Sequence, residues 1–413
     1  MEKDCSNILI VGDGAVASAL SRKLSLYSDI ENIYVASGRN IPSEFHKNVD
    51  LREDYLTALL KFALDYKIDL TIPVSDKALK SDIVNFFKSN NQPIFGPSRQ
   101  SCKMMLNEIT CKKFLYKINA QTPKFAVFNK LQQAIEYLST QTFPVIISSQ
   151  EPSSLLGDDK LVITSLDRAN EFLNELFVNK FETDILIQDY IYGDSFTIYF
   201  ITDGYSAIAL PYIKNYHFYN EGSSGFYTKG IGACSPNLKI SQTVVERVSN
   251  IVKNILHTSN RQNKSYSGII GVNGILTRED NFYVTGLSPF FKNSDARIIF
   301  NLLEEDLLLL FNSCVNGSFS DDYQYLKIGE GASFSAVVYC EKEGEVIKSI
   351  NKLEDIDNVD FTNIEYKNEE YKSLKGENFT LTRSGATLSR AKKLLYEDLG
   401  ELSYKGVHYR KDF

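Results

Sequence analysis

Tryptophan is absent from this chain, histidine occurs four times and methionine three times. The missing tryptophan says nothing about mechanism. The scarcity of histidine does, because the six cysteines (Cys5, Cys102, Cys111, Cys234, Cys314, Cys340) form no C-x-x-C pair and four histidines leave few further ligands for a zinc site. Buried, reduced, structural thiols are the expectation. No stretch reaches the roughly 18 unbroken apolar residues of a membrane span, so no membrane partner is expected. Lys and Arg total 45 against 52 Asp and Glu, a net charge of -7, and the basic residues are dispersed. A nucleic-acid footprint, which needs clustered Lys and Arg, is not supported. Met1–Ile10 carries Glu2 and Asp4 and enters a short apolar run directly, without the basic region and long apolar core of a signal peptide. A cytoplasmic location is therefore expected. What is present is a globular composition, 43% hydrophobic and 23% charged, over 413 residues. At about 100–200 residues per domain, that length implies two to four domains.

Along the chain, the opening reads as a strand at Asn7–Val11, a turn at Gly12–Ala17, a helix to Leu26 and a second strand at Asn32–Ala36. Such an order starts a parallel α/β sheet. A helix at Tyr55–Tyr66, a strand at Ile68–Ile72, a helix at Lys77–Lys88 and a short strand at Pro93–Phe95 complete a doubly wound, Rossmann-like domain over residues 1–98. Helical spacing over Arg99–Lys117 ends at Thr122-Pro123. Irregular alternation follows, with strands at Phe125–Phe128, Pro144–Ile147, Leu161–Thr164, Ile185–Gln188 and Phe196–Thr202, and helices at Leu131–Leu138 and Leu166–Leu176. This succession predicts an α+β region over 99–320, with a smaller lobe at about 120–190. Glu221–Pro236, rich in Gly and Ser, reads as its most loop-like part. A long helix at Ser241–His257, strands at Ile269–Leu276 and Phe282–Leu287, and one apolar helix at Ala296–Phe311 follow. Residues 321–413 predict a C-terminal mixed α/β domain, with strands at Ala332–Tyr339 and Phe379–Arg383 and a helix at Ala386–Leu399.

Gly12-x-Gly14-x-x-Ala17, between a strand and a helix, has the layout of a phosphate-binding turn. Glycines permit a tight bend, and a helix N-terminus offers unpaired N–H groups to an anion. A dinucleotide site would also place an acid at the end of the second strand to hold the ribose. Val35, Ala36 and Ser37 stand there instead, which counts against NAD. The competing reading is that the glycines only let the first helix pack against the sheet.

Read together, several motifs fall in one order: Ile8–Gly14 (ILIVGDG), Lys67–Ile72 (KIDLTI), Ile94–Pro97 (IFGP), Thr122-Pro123, Gly225–Pro236 (GFYTKGIGACSP), Tyr266–Gly268 (YSG) and Gly406–Asp412 (GVHYRKD). On these the chain resembles, from end to end, the glycinamide ribonucleotide synthetase (phosphoribosylamine–glycine ligase) family of the ATP-grasp superfamily. The resemblance implies a Rossmann-like pre-ATP-grasp domain, an ATP-grasp core and a mixed α/β C-terminal domain. It also implies the use of ATP and magnesium to activate glycine as an acyl phosphate, which the amine of phosphoribosylamine attacks in purine synthesis. Nucleotide contacts would then fall on Lys112, on the hinge Gln188, Asp189, Tyr190 and Ile191, and on Asp194. Substrate contacts would fall on Gly12, Gly14, Asp76, Gly225, Thr228 and Gly230.

The charged positions of the family pattern depart from it. Ala15–Ser18 replace Gly-Arg-Glu-His after the first turn, and Val74–Asp76 replace Gly-Pro-Glu. Glu108 stands for the first lysine of Glu-x-Ser-Lys-x-x-x-Lys, with only Lys112 surviving, and Ser148 stands for the next phosphate lysine. Ser149–Asp159 replaces the Gly-rich lid, where Gly157 and Lys160 could remake part of it. Asn215–Phe218 replace Asp-His-Lys-Arg, and Gly286, Ser288 and Phe290 replace the two metal ligands Glu and Asn and the arginine, so no metal ligand is assigned. Three readings follow. One is a working ligase. A second is a non-catalytic descendant that keeps the scaffold and binds a ligand or a partner protein. A third is a ligase of changed substrate, with Asp194, Asp295 or Glu279 on the metal and Lys160 or Lys112 on phosphate. Losses concentrated at charged positions beside retained structural ones favour the second. The ending Arg410–Asp412 reads either as a nucleotide contact or as a salt bridge from the C-terminal domain to the cleft, and the second is favoured.

Overall fold

The computed structural model describes residues 5–37, 39, 41–149, 160–179, 184–236, 239–279, 281–347 and 359–413. It is a mixed α/β protein with a parallel sheet first and a large antiparallel sheet after it. Strand β1 (Ser6–Val11) carries four consecutive apolar residues, a pattern that only a strand covered on both faces can bury. With β2 (Ile30–Ala36), β3 (Lys47–Val49) and β4 (Leu70–Pro73) it forms a parallel sheet in the order β3-β2-β1-β4. Leu9 and Val11 pack on one side with residues of α2 (Leu56–Asp65), α3 (Asp76–Lys80) and α4 (Ile83–Ser89). Ile8 and Ile10 pack on the other with α1 (Gly14–Leu24). The single helix expected over 77–88 is two, because Asp82 turns into the left-handed region at φ 65°. The strand expected at 93–95 is reduced to one bridge, between Thr71 and Ile94.

Helix α5 (Arg99–Cys102) and helix α6 (Glu108–Lys117) divide the 99–117 segment. Asn107 restarts the helix by accepting a hydrogen bond from the Thr110 N–H. Beyond it, β5 (Phe125–Phe128), β6 (Val145–Ser149), β7 (Lys160–Ile163) and β8 (Ile185–Asp189) form a second, antiparallel sheet in the order β5-β8-β6-β7. Its own small core includes Ile147, Ile163 and Ile187, backed by α7 (Leu131–Leu138) and α8 (Leu166–Asn179).

The third sheet is built on β9 (Asp194–Thr202), β10 (Ala207–Ala209), β11 (Ile213–Asn220), β12 (Ser224–Ser235), β13 (Gly268–Leu276) and β14 (Phe282–Ser288). Along β9, Phe196, Ile198 and Phe200 join one core with α9 (Gln242–Arg261), while Tyr199 and Ile201 join the other. The segment 221–236 expected as a loop is largely strand β12. Its glycines serve the hairpin and close neighbours: Gly222 and Gly225 take positive φ at the turn, and a Cβ on Gly230 would lie 2.7 Å from Ser294 Oγ. The apolar helix expected over 296–311 is broken into α10 (Ala296–Leu302) and α11 (Leu307–Asn316), because the Asp306 carboxylate caps the N–H groups of Leu308 and Leu309. A short helix, α12 (Phe319–Asp322), follows.

The large sheet continues past residue 320 without interruption. Strand β15 (Ala332–Cys340) pairs with β12 on one side, and on the other with β19 (Gly376–Gly385), which carries β16 (Val359–Phe361) at the edge. Strands β17 (Ile364–Lys367) and β18 (Glu370–Ser373) make a separate hairpin, α13 (Leu388–Gly400) packs on β15 and β19, and β20 (Val407–His408) adds to β15. All six thiols are free and five are buried. No helix among the described residues is long and apolar enough to cross a membrane.

One buried ion pair joins three parts of this arrangement. Asp360 on β16 accepts from Arg297 Nε of α10 at 2.9 Å, from the Arg297 Nη2 group, and from Ser18 Oγ of α1 at 2.8 Å. Both charged side chains are almost wholly enclosed. Removing one partner leaves the other charge buried and uncompensated. Asp360→Ala is accordingly expected to lower the unfolding free energy by about 3–5 kcal/mol, read from urea midpoints at unchanged slope.

Candidate functional site

Charged side chains collect where the small lobe meets the large sheet. Helix α6 begins with Glu108, a favourable place for a carboxylate at a helix N-terminus. One turn later, on the same face, comes Lys112. Strand β7 packs on β12 and delivers Lys160, whose Nζ is 2.8 Å from Glu108 Oε1. Gln188 Nε2 donates to the same oxygen at 3.3 Å. Lys112 is fully buried and donates to Thr122 Oγ1 at 3.1 Å. Burial pushes the Glu108 carboxyl up, but the Lys160 and Lys112 charges more than offset this and hold it low. Burial pushes Lys160 down, and Glu108 more than restores it. For Lys112, burial and the charge of Lys160 prevail and lower the ammonium to about 8. Ser148 lies buried beside Glu108.

Against Lys160, Tyr227 of β12 stacks on His217 of β11 with ring centroids 4.7 Å apart. His217 Nδ1 is 3.1 Å from the Thr228 carbonyl, which can only accept, so that nitrogen carries the proton. Burial first, and the charges of Lys292 and Lys160 with it, hold this imidazole well below its ordinary pKa and therefore neutral.

The floor lies on three neighbouring strands. Thr197 of β9, Asn273 of β13 and Gly286 of β14 stand in register. Thr197 Oγ1 donates to Asn215 Oδ1 at 2.7 Å and lies 2.9 Å from Asn273 Oδ1. Lys292, between β14 and α10, donates from Nζ to Thr197 Oγ1 at 3.1 Å, and its backbone N–H donates to Tyr199 Oη. Asp295 is fully enclosed and accepts from Tyr199 Oη at 2.8 Å, Asn215 Nδ2 at 2.9 Å and Ser294 Oγ at 2.6 Å. Above Gly286 a Cβ would meet nothing within 4 Å. Ser288 Oγ is turned to the Phe290 carbonyl at 2.6 Å.

Of the residues singled out from the sequence, Lys112, Gln188, Thr228 and Gly230 come together here. Asp189, Tyr190 and Ile191 continue from Gln188 at the end of β8, with Tyr190 edge-on to Tyr192 at 4.9 Å. Asp194 opens β9 and is tied to Lys214 at 3.2 Å and Lys239 at 2.5 Å. Gly225 sits at the exposed end of the β11–β12 hairpin, and Glu279 is exposed between β13 and β14. Gly12 and Gly14 lie in the turn before α1, with φ 129° and 84°, and a Cβ on Gly14 would stand 3.6 Å from Asn293 Oδ1, beside Lys292. Beside that turn Asp13 pairs with Arg39 at 2.8 Å, and a cavity of about 460 Å³ opens past Gly14, Ser18, Arg39 and His46. Asp76 is exposed and faces Lys80 at 3.4 Å. Gly157 is outside the described residues. Lys292 and Thr197 were not singled out in the sequence; a lysine four residues after Ser288, just before a helix, is the signal that marks the first.

This fold, two antiparallel lobes closing on a charged cleft behind a parallel N-terminal sheet, is that of the ATP-grasp superfamily. Residues 6–104 match the phosphoribosylglycinamide synthetase N domain, and residues 108–294 match the ATP-grasp (A) domain of the same enzyme. The chain therefore belongs to the phosphoribosylglycinamide synthetase family. The phosphoribosylamine–glycine ligase of Fusobacterium nucleatum is 26% identical over 98% of this chain and 97% of its own length. The crystal structure of the Thermotoga maritima phosphoribosylamine–glycine ligase superposes with a TM-score of 0.79 at 15% identity, covering 98% of this chain and 99% of that one. The biotin carboxylase domain of Hydrogenobacter thermophilus 2-oxoglutarate carboxylase, a complex with MgADP, reaches 0.70 at 13% identity over 97% of this chain and 91% of that one.

The residues on the floor do not fit magnesium. That ion takes hard oxygen ligands, usually one or two carboxylates with substrate phosphates. Gly286 offers no donor, the Ser288 hydroxyl is engaged, Asp295 is enclosed and already accepts from three donors, and an ammonium stands on the same face. Among the described residues no three His, Cys, Asp or Glu side chains gather as a metal cluster.

The buried Lys112 has a measurable signature. With its pKa at about 8 in the fold and 10.5 when free, the native state holds fewer protons than the unfolded state between those values. Its unfavourable contribution is complete below pH 8 and disappears as pH rises to 10.5. Relative to Lys112→Met, the wild-type protein is expected to gain about 3 kcal/mol of stability from pH 7 to pH 10.5, measured by denaturant unfolding of both proteins across that range.

Proposed function

We propose that this chain is a glycinamide ribonucleotide synthetase-like ATP-grasp protein whose ligase activity is lost or much reduced, and which keeps the scaffold as a binder of nucleotide. The observation that carries this reading is the cleft floor, where Gly286, Ser288 and Lys292 stand in the places that would have to hold and face a metal. Phosphoryl transfer to a carboxylate draws its rate from positioned cations on the phosphates, with the metal bridging them. Here the lysine expected at 108 is a carboxylate, and that carboxylate engages Lys160. The hinge Gln188–Ile191 supports retention of the nucleotide, since contacts to a base at such a strand end are largely made by backbone. The replacement ligands considered for a changed-substrate ligase gain no support: Asp194 faces two lysines, Asp295 is enclosed by its donors, and Glu279 is exposed.

Purified full-length protein given ATP, magnesium, glycine and phosphoribosylamine is expected to release ADP at least about 10²–10³-fold more slowly than an active ligase of the family under the same conditions. Comparable ADP formation would overturn the reading.

A further inference from the structure

We propose that Lys292 supplies, from within the chain, the positive charge that the cleft floor would otherwise take from a divalent cation, so that the cleft binds the polyphosphate of a nucleotide without magnesium. The inference rests on the reading of the cleft as a nucleotide site and adds the cation on which binding depends.

Three observations carry it. Lys292 reaches the floor itself, because its Nζ is hydrogen-bonded to Thr197, the residue in register with Asn273 and Gly286. An ammonium has three donors, and Thr197 takes one. Lys292 makes no ion pair among the described residues and is half-buried, with Asp295 the nearest carboxylate that acts on its charge. Secondly, the carboxylates near it are already committed. Glu108 accepts from Lys160 and Gln188, and Asp295 accepts from Tyr199, Asn215 and Ser294. Three ammonium groups, of Lys112, Lys160 and Lys292, thus share two carboxylates. Their mutual repulsion is felt: burial lowers the pKa of both Lys112 and Lys292, and the charge of Lys160 lowers each further. An anion is the ligand that relieves such crowding, whereas a divalent cation would worsen it. Thirdly, the space beside these cations is open where a metal-binding side chain would project, since a Cβ on Gly286 meets nothing within 4 Å. A flexible phosphate chain can enter there.

The test is calorimetric titration of ATP, and of inorganic triphosphate, into the full-length protein with excess magnesium and with EDTA. For wild type, the two ATP dissociation constants are expected to agree within about threefold. Lys292→Met, which keeps most of the apolar stem, is expected to weaken ATP and triphosphate in EDTA by about tenfold or more, the worth of one charge-assisted hydrogen bond. Lys292→Arg is expected to recover much of the loss, and the exposed control Lys80→Met to bind as wild type. Should Lys292→Met fail to fold, the Lys292→Arg variant and the wild-type comparison with and without EDTA still decide. Binding that collapses in EDTA would overturn the inference, as would equal affinity of the Met variant. An absence of binding with and without magnesium would also overturn it, while leaving the loss of ligase activity standing. Brisk ADP formation in the ligase assay would instead remove the reading on which it rests.

Discussion

An ion pair at the meeting of the two lobes governs the rest of this site. Lys160 on β7 can come to rest against β12 only because Glu108 is there to receive it, since an ammonium in a protein interior needs a carboxylate or equivalent donors and acceptors to offset its desolvation. A lysine at position 108 would repel Lys160 and leave Lys112 beside two like charges. Glu108 therefore organises its surroundings. It fixes where β7 lies and places Gln188 on the shared oxygen, while Lys112 donates to the Thr122 hydroxyl.

The same logic of charge extends across the floor. A hydrogen-bonded set runs from Lys292 through Thr197 to Asn215 and on to Asp295. Thr197 and Asn215 are neutral, and they link the Lys292 ammonium to the Asp295 carboxylate through hydrogen bonds. Such a floor can attract phosphate. On the proposed reading it lacks the bridging charge with which phosphoryl transfer is accelerated, and binding would be separated from chemistry within one architecture.

Much of this was legible in the residues. The consecutive apolar run of β1 with the glycines of the next turn announces a buried parallel strand, and the order of short motifs from Ile8–Gly14 to Gly406–Asp412 identifies the family. The replacements at Glu108, Gly286 and Ser288 are visible as single letters. What those letters do to their neighbours is not. Lys292 meets Thr197 across 95 positions of chain, and only the antiparallel register of β9, β13 and β14 brings them to one face. The strand β12 was hidden by its glycines, which read as loop when their partners, Ser294 and the hairpin turn, are out of view. The break between α10 and α11 was hidden for a related reason: an apolar run dominates the periodicity, while the capping Asp306 is one polar residue within it.

Gly230 shows how little room separates these arrangements. Its missing side chain lets β12 pass Ser294 closely enough for that hydroxyl to stay on Asp295, which in turn keeps Asn215 and Tyr199 in place. The clearance is smaller than a methyl group. The strand that meets the small lobe thus runs against the residue just before α10, so a displacement of β12 of the order of an atomic radius would press on the hydroxyl that Asp295 holds.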